Sequence, residues 1–300
     1  MLIEFLDTEI KPKSDYVRGN QCTKVSLTDI WYLFRPGDEV IDQRKKQVYR
    51  IIGVSSSAHK AISPWRHFSY NVVKSDETPI KLHCVYVDFD GKHLGPVLKI
   101  FEIPRFEGEK PITSLTVYPL RLEEAPPIGN PGLSSSQTFR EELIARGRLF
   151  TEVLSVKHMH YNGLTLDMKD EVDGQVMIDF EESFATEAKK SNPDAGEENR
   201  RPSIQSLTGT VLHETEDIEC DADCCRGENV HKDTYAEKKR NEDYVNSLIP
   251  DEPSHRPTVM IFPRALADLN SPDYARIDDD YVIMSYRVFG FILRSRKWGK

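Results

Sequence analysis

The densest group of side chains able to bind a metal is a set of three cysteines, Cys220, Cys224 and Cys225, with His213 and His231 nearby. Zinc sites commonly use two pairs of ligands, each pair two to four residues apart, whereas this segment offers one such pair. Adjacent cysteines also rarely ligate one ion together. The incomplete ligand set argues against zinc, and we predict free thiols with no bound metal or cofactor.

A second group that could do chemistry consists of His158 and His160, beside Met159 and Tyr161. Side chains two residues apart on a strand point to the same face, so the two imidazoles could bind a metal or transfer protons. A strand with one half-exposed face explains the same pattern without a site. A metal-dependent enzyme or zinc-binding module, using this pair or the three cysteines, is the alternative to a non-catalytic protein.

Motifs of phosphate binding and hydrolysis are absent from the sequence. Gly91-Lys92 and Gly299-Lys300 lack the rest of a Walker A loop, and no Gly-x-Ser-x-Gly motif or paired-His zinc helix occurs. Asp88-Phe89-Asp90-Gly91 begins like a calcium loop but lacks the later oxygen ligands, so we interpret it as a hairpin turn. We therefore predict no catalytic and no cofactor-binding residue.

Two further clusters favour structure over binding. Asp278-Asp279-Asp280 would need metal ligands from elsewhere in the chain, and a solvated turn explains it. Aromatic residues on alternating strand positions belong more often to a core than to a peptide-binding pocket. The aromatic residues in question are Trp31, Tyr32, Phe34, Trp65 and Phe68.

Composition indicates a polar globular chain. Charged residues make up 30% and hydrophobic residues 38%, and the net charge of −9 equals the acidic excess of residues 181–256. The rest of the chain is balanced, which argues against nucleic-acid binding. The acidic start, the odd number of cysteines and the absence of an apolar run of ~20 residues predict a protein of the cytoplasm or nucleus without a membrane span.

Turn residues and apolar runs predict an α+β, β-rich fold. Between residues 28 and 122 short strands alternate with Gly- and Pro-containing turns, which is typical of a small antiparallel barrel or sandwich. A helix begins at Thr138, where Glu141 completes a capping box, and two strands joined around Asp173-Gly174 follow it. The predicted strands of the first part are Ile30–Phe34, Glu39–Ile41, Gln47–Val54, Arg66–Lys74, Leu82–Phe89, Val97–Ile103 and Thr116–Leu122.

These patterns divide the chain into six parts. They are an N-terminal tail, the β-rich part, a linker, a helix with strands that pack on the β-part, an acidic disordered insert with a short helix near Tyr235–Leu248, and C-terminal strands. The insert is predicted because its apolar area is too small to offset chain ordering. The bounds, in order, are residues 1–27, 28–122, 123–136, 137–184, 185–256 and 257–300.

An ordered series of short phrases resembles the uncharacterised N-terminal domain of a large group of fungal AAA-type ATPases. The series covers most of residues 28–180 and then 281–298. Its phrases are Trp31–Asp38, Val85–Gly91, Phe106–Leu115, Tyr118–Leu120, Leu143–Arg148, Tyr161–Gly163, Gly174–Asp179 and Gly290–Trp298.

The resemblance implies a recognition or adaptor module that binds protein clients or an AAA ring. In that family ATP is bound and hydrolysed by a module that follows a phrase like Phe291–Trp298. No such module follows Trp298 within these 300 residues. We therefore expect a non-catalytic chain without an ATP site of its own.

Overall fold

A computed structural model describes residues 2–55, 79–123, 135–190, 201–207, 233–248, 262–270 and 278–300. The α-helices within these residues are α1 (Leu2–Phe5), α2 (Lys11–Arg18), α3 (Ile30–Leu33), α4 (Ser135–Glu152), α5 (Phe180–Lys190), α6 (Asp233–Ser247) and α7 (Asp278–Val282). The strands are β1 (Lys24–Ser26), β2 (Glu39–Asp42), β3 (Val48–Ser55), β4 (Ile80–Phe89), β5 (His93–Ile103), β6 (Glu109–Pro111), β7 (Val117–Pro119), β8 (Lys157–Leu164), β9 (Glu171–Ile178), β10 (Arg264–Ala265), β11 (Gly290–Ile292) and β12 (Lys297–Gly299).

The chain divides into two compact units, each built from three stretches of sequence. Unit 1 comprises Met1–Val85, Lys99–Glu124 and Leu207–His255. Unit 2 comprises Tyr86–Leu98, Ala125–Ser206 and Arg256–Lys300. Both are mixed α/β structures with antiparallel sheets, which confirms the predicted fold class.

Unit 1 contains strands hydrogen-bonded in the order β7-β2-β3-β4. On the central strand β2, Ile41 pairs with Tyr118 of β7 and with Val48 of β3. A bulge shifts the β3–β4 register between Ile51 and Gly53. Strands β1 and β6 form a separate two-stranded sheet. The core of this unit consists of fully buried aliphatic and aromatic side chains, among them Ile30, Leu33, Phe34, Val40, Ile41, Ile51, Ile52 and Leu82.

The described strands of residues 28–122 do not close into a barrel. Of the two predicted alternatives, barrel or sandwich, the barrel is therefore wrong. The run Ile30–Phe34, predicted as a strand, is instead the helix α3 followed by an extended residue. Short apolar runs without clear alternation fit either structure, and here burial of Ile30 and Leu33 on one helical face decides the outcome. The predicted strand Arg66–Lys74 lies outside the described residues.

Three described parts of the predicted acidic insert are ordered, and the first of them, residues 185–190, belongs to helix α5. Residues 201–207 include a bridge between Ile204 and Val97 in unit 2. Helix α6 packs on β3 in unit 1 and buries Asn241, Val245 and Leu248. These parts are ordered because a few well-spaced buried side chains suffice when they join an existing core. The short helix predicted near Tyr235–Leu248 matches α6.

Unit 2 contains an antiparallel sheet with the strand order β12-β11-β9-β8. Strands β8 and β9 pair without interruption from Lys157 opposite Ile178 to Leu164 opposite Glu171. The tight turn that joins them is closed by Thr165 and Asp170. The predicted turn at Asp173-Gly174 is therefore wrong, because both residues lie inside β9.

Helix α4 packs against α7 in unit 2 and buries Leu143 and Phe150, and Leu154 just after the helix is also buried. The helix begins at Ser135, three residues before the predicted cap at Thr138. A capping signature fixes a helix start only where no earlier residue continues the helix. In the described residues, none of the helices combines the length and the apolar composition that crossing a bilayer requires.

Candidate functional site

The cysteines predicted as weak zinc ligands, Cys220, Cys224 and Cys225, lie outside the described residues. The described cysteines are Cys22 and Cys84, which are both buried and free. Burial raises the pKa of both thiols, so both stay protonated at neutral pH. A protonated, buried thiol is neither a nucleophile nor a metal ligand.

Trp31, Tyr32 and Phe34, three of the aromatic residues considered for a peptide pocket, do not share a strand face. Trp31 and Tyr32 lie on α3 and are half-buried, and Phe34 is fully buried. The guanidinium of Arg240 lies 5.5 Å from the centre of the Trp31 ring, and the ammonium group of Lys13 lies 5.7 Å from the centre of the Tyr32 ring. These cations belong to the chain itself and occupy the faces that a ligand would use. Trp65 and Phe68 lie outside the described residues.

The hairpin predicted at Asp88–Gly91 is present between β4 and β5. The Asp90 carboxylate accepts hydrogen bonds from the backbone N–H groups of Lys92 and His93, at 2.8 and 2.7 Å. Gly91 has a φ of +98°, which a glycine adopts at little cost. At the second acidic cluster, Asp279 pairs with Arg140 of α4 and Asp280 is buried in α7. The predicted solvated turn is therefore wrong for Asp279 and Asp280, which lie in a helix and are paired or buried.

His158 and His160 lie on the same face of β8, as predicted, and both are exposed. His160 Nε2 is 3.3 Å from Asp173 Oδ1, and both side chains are more than 60% exposed. Among the described residues, no three or more His, Cys, Asp or Glu side chains come together as a possible metal site. The two histidines therefore lie on the exposed surface of β8, and the described part of the chain offers them no third metal ligand.

Strand β8 is an edge strand with both faces open. Within the described residues it pairs only with β9, and seven of its eight residues are exposed. Met159 and Tyr161 point to one face and His158 and His160 to the other, because side chains alternate along a strand. Val156, directly before the strand, is 66% exposed, and Leu164 at its end is 57% exposed. Apolar side chains thus surround an unpaired edge.

The hydrogen-bond pattern shows which backbone groups point outward from β8. In an antiparallel ladder, alternate residues direct their N–H and C=O groups to the neighbouring strand. Thr165 N–H donates to Asp170 C=O at 2.9 Å, so residues 157, 159, 161, 163 and 165 bond to β9. The residues between them direct their backbone groups to the free edge. These residues are His158, His160, Asn162 and Leu164.

The other side of β9 supports this assignment. Asp179 N–H donates to Phe289 C=O, and Leu293 N–H donates to Gln175 C=O, both at 3.2 Å. Odd-numbered residues of β9 therefore bond to β11 and even-numbered ones to β8, as the alternation requires. At the free edge the Tyr161 hydroxyl donates to Leu164 C=O at 2.9 Å. The groups of His158, His160 and Asn162 have no backbone partner among the described residues.

A cavity of about 290 Å³ lies at the end of the sheet where β8 begins. Lys157 of β8 pairs with Ile178 of β9, and the next residues outward, Val156 and Asp179, both line the cavity. The cavity thus continues the β8–β9 ladder beyond its last pair. Its lining residues are Phe89, Gly91, Leu154, Ser155, Val156, Asp179, Phe180, Glu181, Glu182 and Leu266.

Packed phenylalanine rings form the floor of the cavity. Phe180 contacts Phe89, Phe150 and Phe289 edge-to-face, with ring centres 5.3, 6.2 and 5.5 Å apart. Such arrangements are favourable for aromatic quadrupoles and fix the ring orientation. Phe180 is also the first residue of α5, and Asp179 before it accepts a hydrogen bond from Glu182 N–H at 3.0 Å. This cap holds the carboxylates of α5 at the rim of the cavity.

A buried ion pair joins β4 to the segment that follows α7. Arg287 Nη2 donates to Asp88 Oδ2 at 2.6 Å, and Val87 exchanges hydrogen bonds with Ile283 C=O and Ser285 N–H. Burial raises the pKa of Asp88, whereas the Asp88 carboxylate raises the pKa of Arg287 against the effect of burial. The pair holds a strand-like segment in place and offers no open surface to a substrate.

Comparison with known families identifies one region. Residues 16–124 match the family model described as Domain of unknown function (DUF7025). This DUF7025 region contains strands β1 to β7 and ends before α4. Its description names no activity, partner or ATPase. No curated protein and no solved structure matches the chain. Strand β8 and most residues of the cavity lie outside the DUF7025 region.

Sequence patterns did not indicate the free edge or the cavity. The sequence predicts a strand that contains His158 and His160, but the patterns do not show that β9 pairs with β11 on its other side. The one local signal was the exposed apolar character of Val156, Met159 and Leu164 in a strand that also carries polar residues. An unpaired edge with apolar residues on both faces is recognisable only once the sheet order is known.

Proposed function

We propose that this chain is a protein-recognition module whose edge strand β8 binds an extended segment of a partner protein. The observation that carries the proposal is the row of outward backbone groups of His158, His160 and Asn162, flanked by exposed side chains on both faces. An extended segment can add to such an edge as a further strand, with affinity from main-chain hydrogen bonds.

Edge strands that are not binding sites usually have features that prevent pairing with a strand of another chain. Protective features include short length, proline, a bulge or several charged side chains. Strand β8 has eight residues, no proline and an uninterrupted register with β9, and Lys157 is its one Lys, Arg, Asp or Glu residue. Because β8 lacks these features, pairing of its edge with a strand of another protein is favoured.

The charges of β8 favour a partner protein over a second copy of this chain. The strand carries Lys157, His158 and His160 and no carboxylate. Antiparallel pairing of two copies would place only basic or neutral side chains opposite one another. A partner segment with acidic residues beside the histidines would be complementary, because opposite charges across a strand pair are favourable and like charges are not. On the other face, apolar partner residues would cover Met159 and Tyr161.

The resemblance to fungal AAA-type ATPases supports a role of this kind beside a motor protein. Recognition domains of such motors select clients, and a free strand edge suits an extended client segment. In this proposal the present chain contributes binding and no hydrolysis of ATP. The client would be a protein segment that alternates apolar and acidic residues.

Substitution by proline at His160 tests the proposal. Proline lacks the outward N–H group, but at an edge position it removes no hydrogen bond to β9. Peptides are first selected from a displayed library of extended sequences with the full chain, and their affinities for variants are then measured by calorimetry. We expect His160→Pro to reduce affinity at least about tenfold, the equivalent of a lost hydrogen bond. His160→Ala keeps the N–H group and loses only an exposed charge contact, so it should reduce affinity clearly less.

Hydrogen exchange of the bound complex adds a direct readout. Binding along the edge protects the amides of His158, His160 and Asn162, because their N–H groups become donors to the added strand. Selected peptides that bind His160→Pro as tightly as the native chain would contradict the proposal. So would the failure of any peptide to bind, or a dimer of the chain that His160→Pro dissociates.

A further inference from the structure

The cavity at the beginning of β8 has an apolar floor. Phe89, Phe180 and Leu154 are each no more than 3% exposed, and Val156 forms an exposed wall. An apolar side chain entering from solvent would remove its own apolar surface and that of Val156 from water, which is favourable by about 25 cal/mol per Å². The floor thus suits an aliphatic or aromatic side chain.

The rim of the same cavity is acidic. It is formed by Asp179, Glu181 and Glu182, and the lining contains no lysine, arginine or histidine. Lys92 approaches Glu181 Oε1 at 3.3 Å, but both side chains are more than half exposed, so this ion pair is weak and readily exchanged. A net negative rim over an apolar floor favours an apolar residue that has a cationic neighbour.

The position of the cavity links it to the free edge. Because Val156 directly precedes Lys157 of the free-edge strand and lines the cavity, a strand added to β8 and continued past Lys157 passes beside this wall of the cavity. Recognition by strand addition commonly gains specificity from a pocket that accepts a side chain of the added strand. The edge supplies the main-chain contacts, and the cavity can select among segments that fit the edge equally well.

We infer that this cavity is the specificity pocket for the partner segment and accepts a large apolar residue flanked by lysine or arginine. The inference rests on the proposed function, since it assumes that the segment binds along β8. It adds a sequence requirement at one end of the segment. Acidic residues belong beside His158 and His160, whereas the basic residue belongs beside Glu181 and Glu182.

The test uses three versions of one selected peptide and the full-length protein. One version carries leucine next to arginine at the pocket end, the second replaces leucine by alanine, and the third replaces arginine by glutamate. We expect each replacement to weaken binding about tenfold or more, because each loses an apolar or an ionic contact. Equal affinity of all three peptides would overturn the inference.

Variants of the protein complete the test. Val156→Asp places a charge on the cavity wall and should weaken the leucine peptide about tenfold. Glu181→Lys should weaken the arginine peptide and strengthen the glutamate peptide. Met168→Asp and Asp170→Lys make the same changes of charge at the opposite end of β8, where Met168 is 77% exposed, and serve as matched controls. We expect both controls to leave the preference among the peptides unchanged.

The outcomes separate this inference from the proposed function. Binding that depends on the N–H of His160 but not on Val156 or Glu181 would overturn the specificity pocket and retain the edge. Binding that depends on Val156 and Glu181 but not on His160 would overturn strand addition. Sensitivity at all three positions, with the expected exchange of peptide preference at Glu181→Lys, supports both.

Discussion

Arg287 donates a 2.6 Å hydrogen bond to the carboxylate of Asp88, and no more than 11% of either side chain is exposed. The two residues are 199 positions apart in the sequence. Asp88 also accepts a hydrogen bond from its neighbour, the N–H of Phe89, at 2.9 Å. This arrangement satisfies a buried carboxylate from two directions, and it secures the segment that leads into β11.

Removing one partner of this ion pair should be costly. We expect Arg287→Met to lower the free energy of unfolding by about 3–5 kcal/mol, because Asp88 would remain as an unpaired buried charge. Adding Asp88→Leu should recover part of the loss by removing that charge. Urea unfolding followed by circular dichroism measures both. An Arg287→Met variant as stable as the native protein would contradict the role of the buried pair. The control is Lys92→Met, which removes the exposed pair with Glu181 and should change stability by less than about 1 kcal/mol.

The contact between α4 and α7 requires a glycine at position 147. A Cβ atom there would lie 2.3 Å from the carbonyl oxygen of Tyr281, which belongs to backbone and cannot rotate away. We expect Gly147→Ala to destabilise unit 2 by about 1–3 kcal/mol or more, as overpacked sites do. Gly174→Ala in β9 is the matched control, because a Cβ at position 174 has no atom within 4 Å. Thermal unfolding of the two variants should separate them clearly.

Asn241 satisfies both backbone groups of Val54, beside the bulge in β3. Its side-chain amide donates to Val54 C=O at 3.0 Å and its carbonyl accepts from Val54 N–H at 3.1 Å. Asn241→Leu would bury both groups without a partner, at a cost of about 1–3 kcal/mol for each. We expect faster hydrogen exchange at Val54 together with lower stability in urea. Unchanged exchange at Val54 would refute the role of Asn241.

The buried thiol of Cys84 should make stability depend on alkaline pH. The ordinary thiol pKa is 9.0, and burial raises the pKa of Cys84 in the folded protein. Above pH 9 the unfolded chain therefore loses this proton while the folded chain keeps it. The free energy of unfolding then falls with rising pH, by up to about 1.4 kcal/mol per pH unit from this one group.

Cys84→Val removes this contribution and fills a similar volume. Its free energy of unfolding should fall less steeply between pH 8 and pH 10 than that of the native protein. The comparison is between slopes, so a constant offset from repacking does not affect it. Equal slopes would mean that the thiol titrates alike in both states. Tyr86 and Tyr118, whose pKa values burial also raises, contribute in the same direction in both proteins at higher pH.

Local sequence signals predicted helices, strands and turns correctly where one residue type determines the backbone conformation. The Asp90-Gly91 turn and the strands on either side of it follow from the glycine and from β-branched neighbours. Helix α4 follows from apolar residues at helical spacing. The run Ile30–Phe34 was predicted wrongly because five apolar residues fit a helix or a strand, and only the surrounding core selects one.

Features that depend on distant partners were not predictable in this way. Among the described residues, β8 pairs with β9 alone, and β9 pairs with β11 on its other side, for example through Met177 opposite Phe291. Asp88 looked like part of a turn motif, and its ion pair with Arg287 has no local signature. The cavity beside Val156 combines residues from three separate stretches of unit 2, so its chemistry appears only after folding.

The hydrogen bonds between Asn241 and Val54 also set the order of events during synthesis. Strand β3 leaves the ribosome early, but the side chain that completes its backbone bonding follows 187 residues later. At translation rates of about 5–20 residues per second, the nascent sheet waits roughly ten seconds or more with Val54 uncovered. The backbone groups of Val54 therefore gain their native side-chain partner only when α6 has been synthesised.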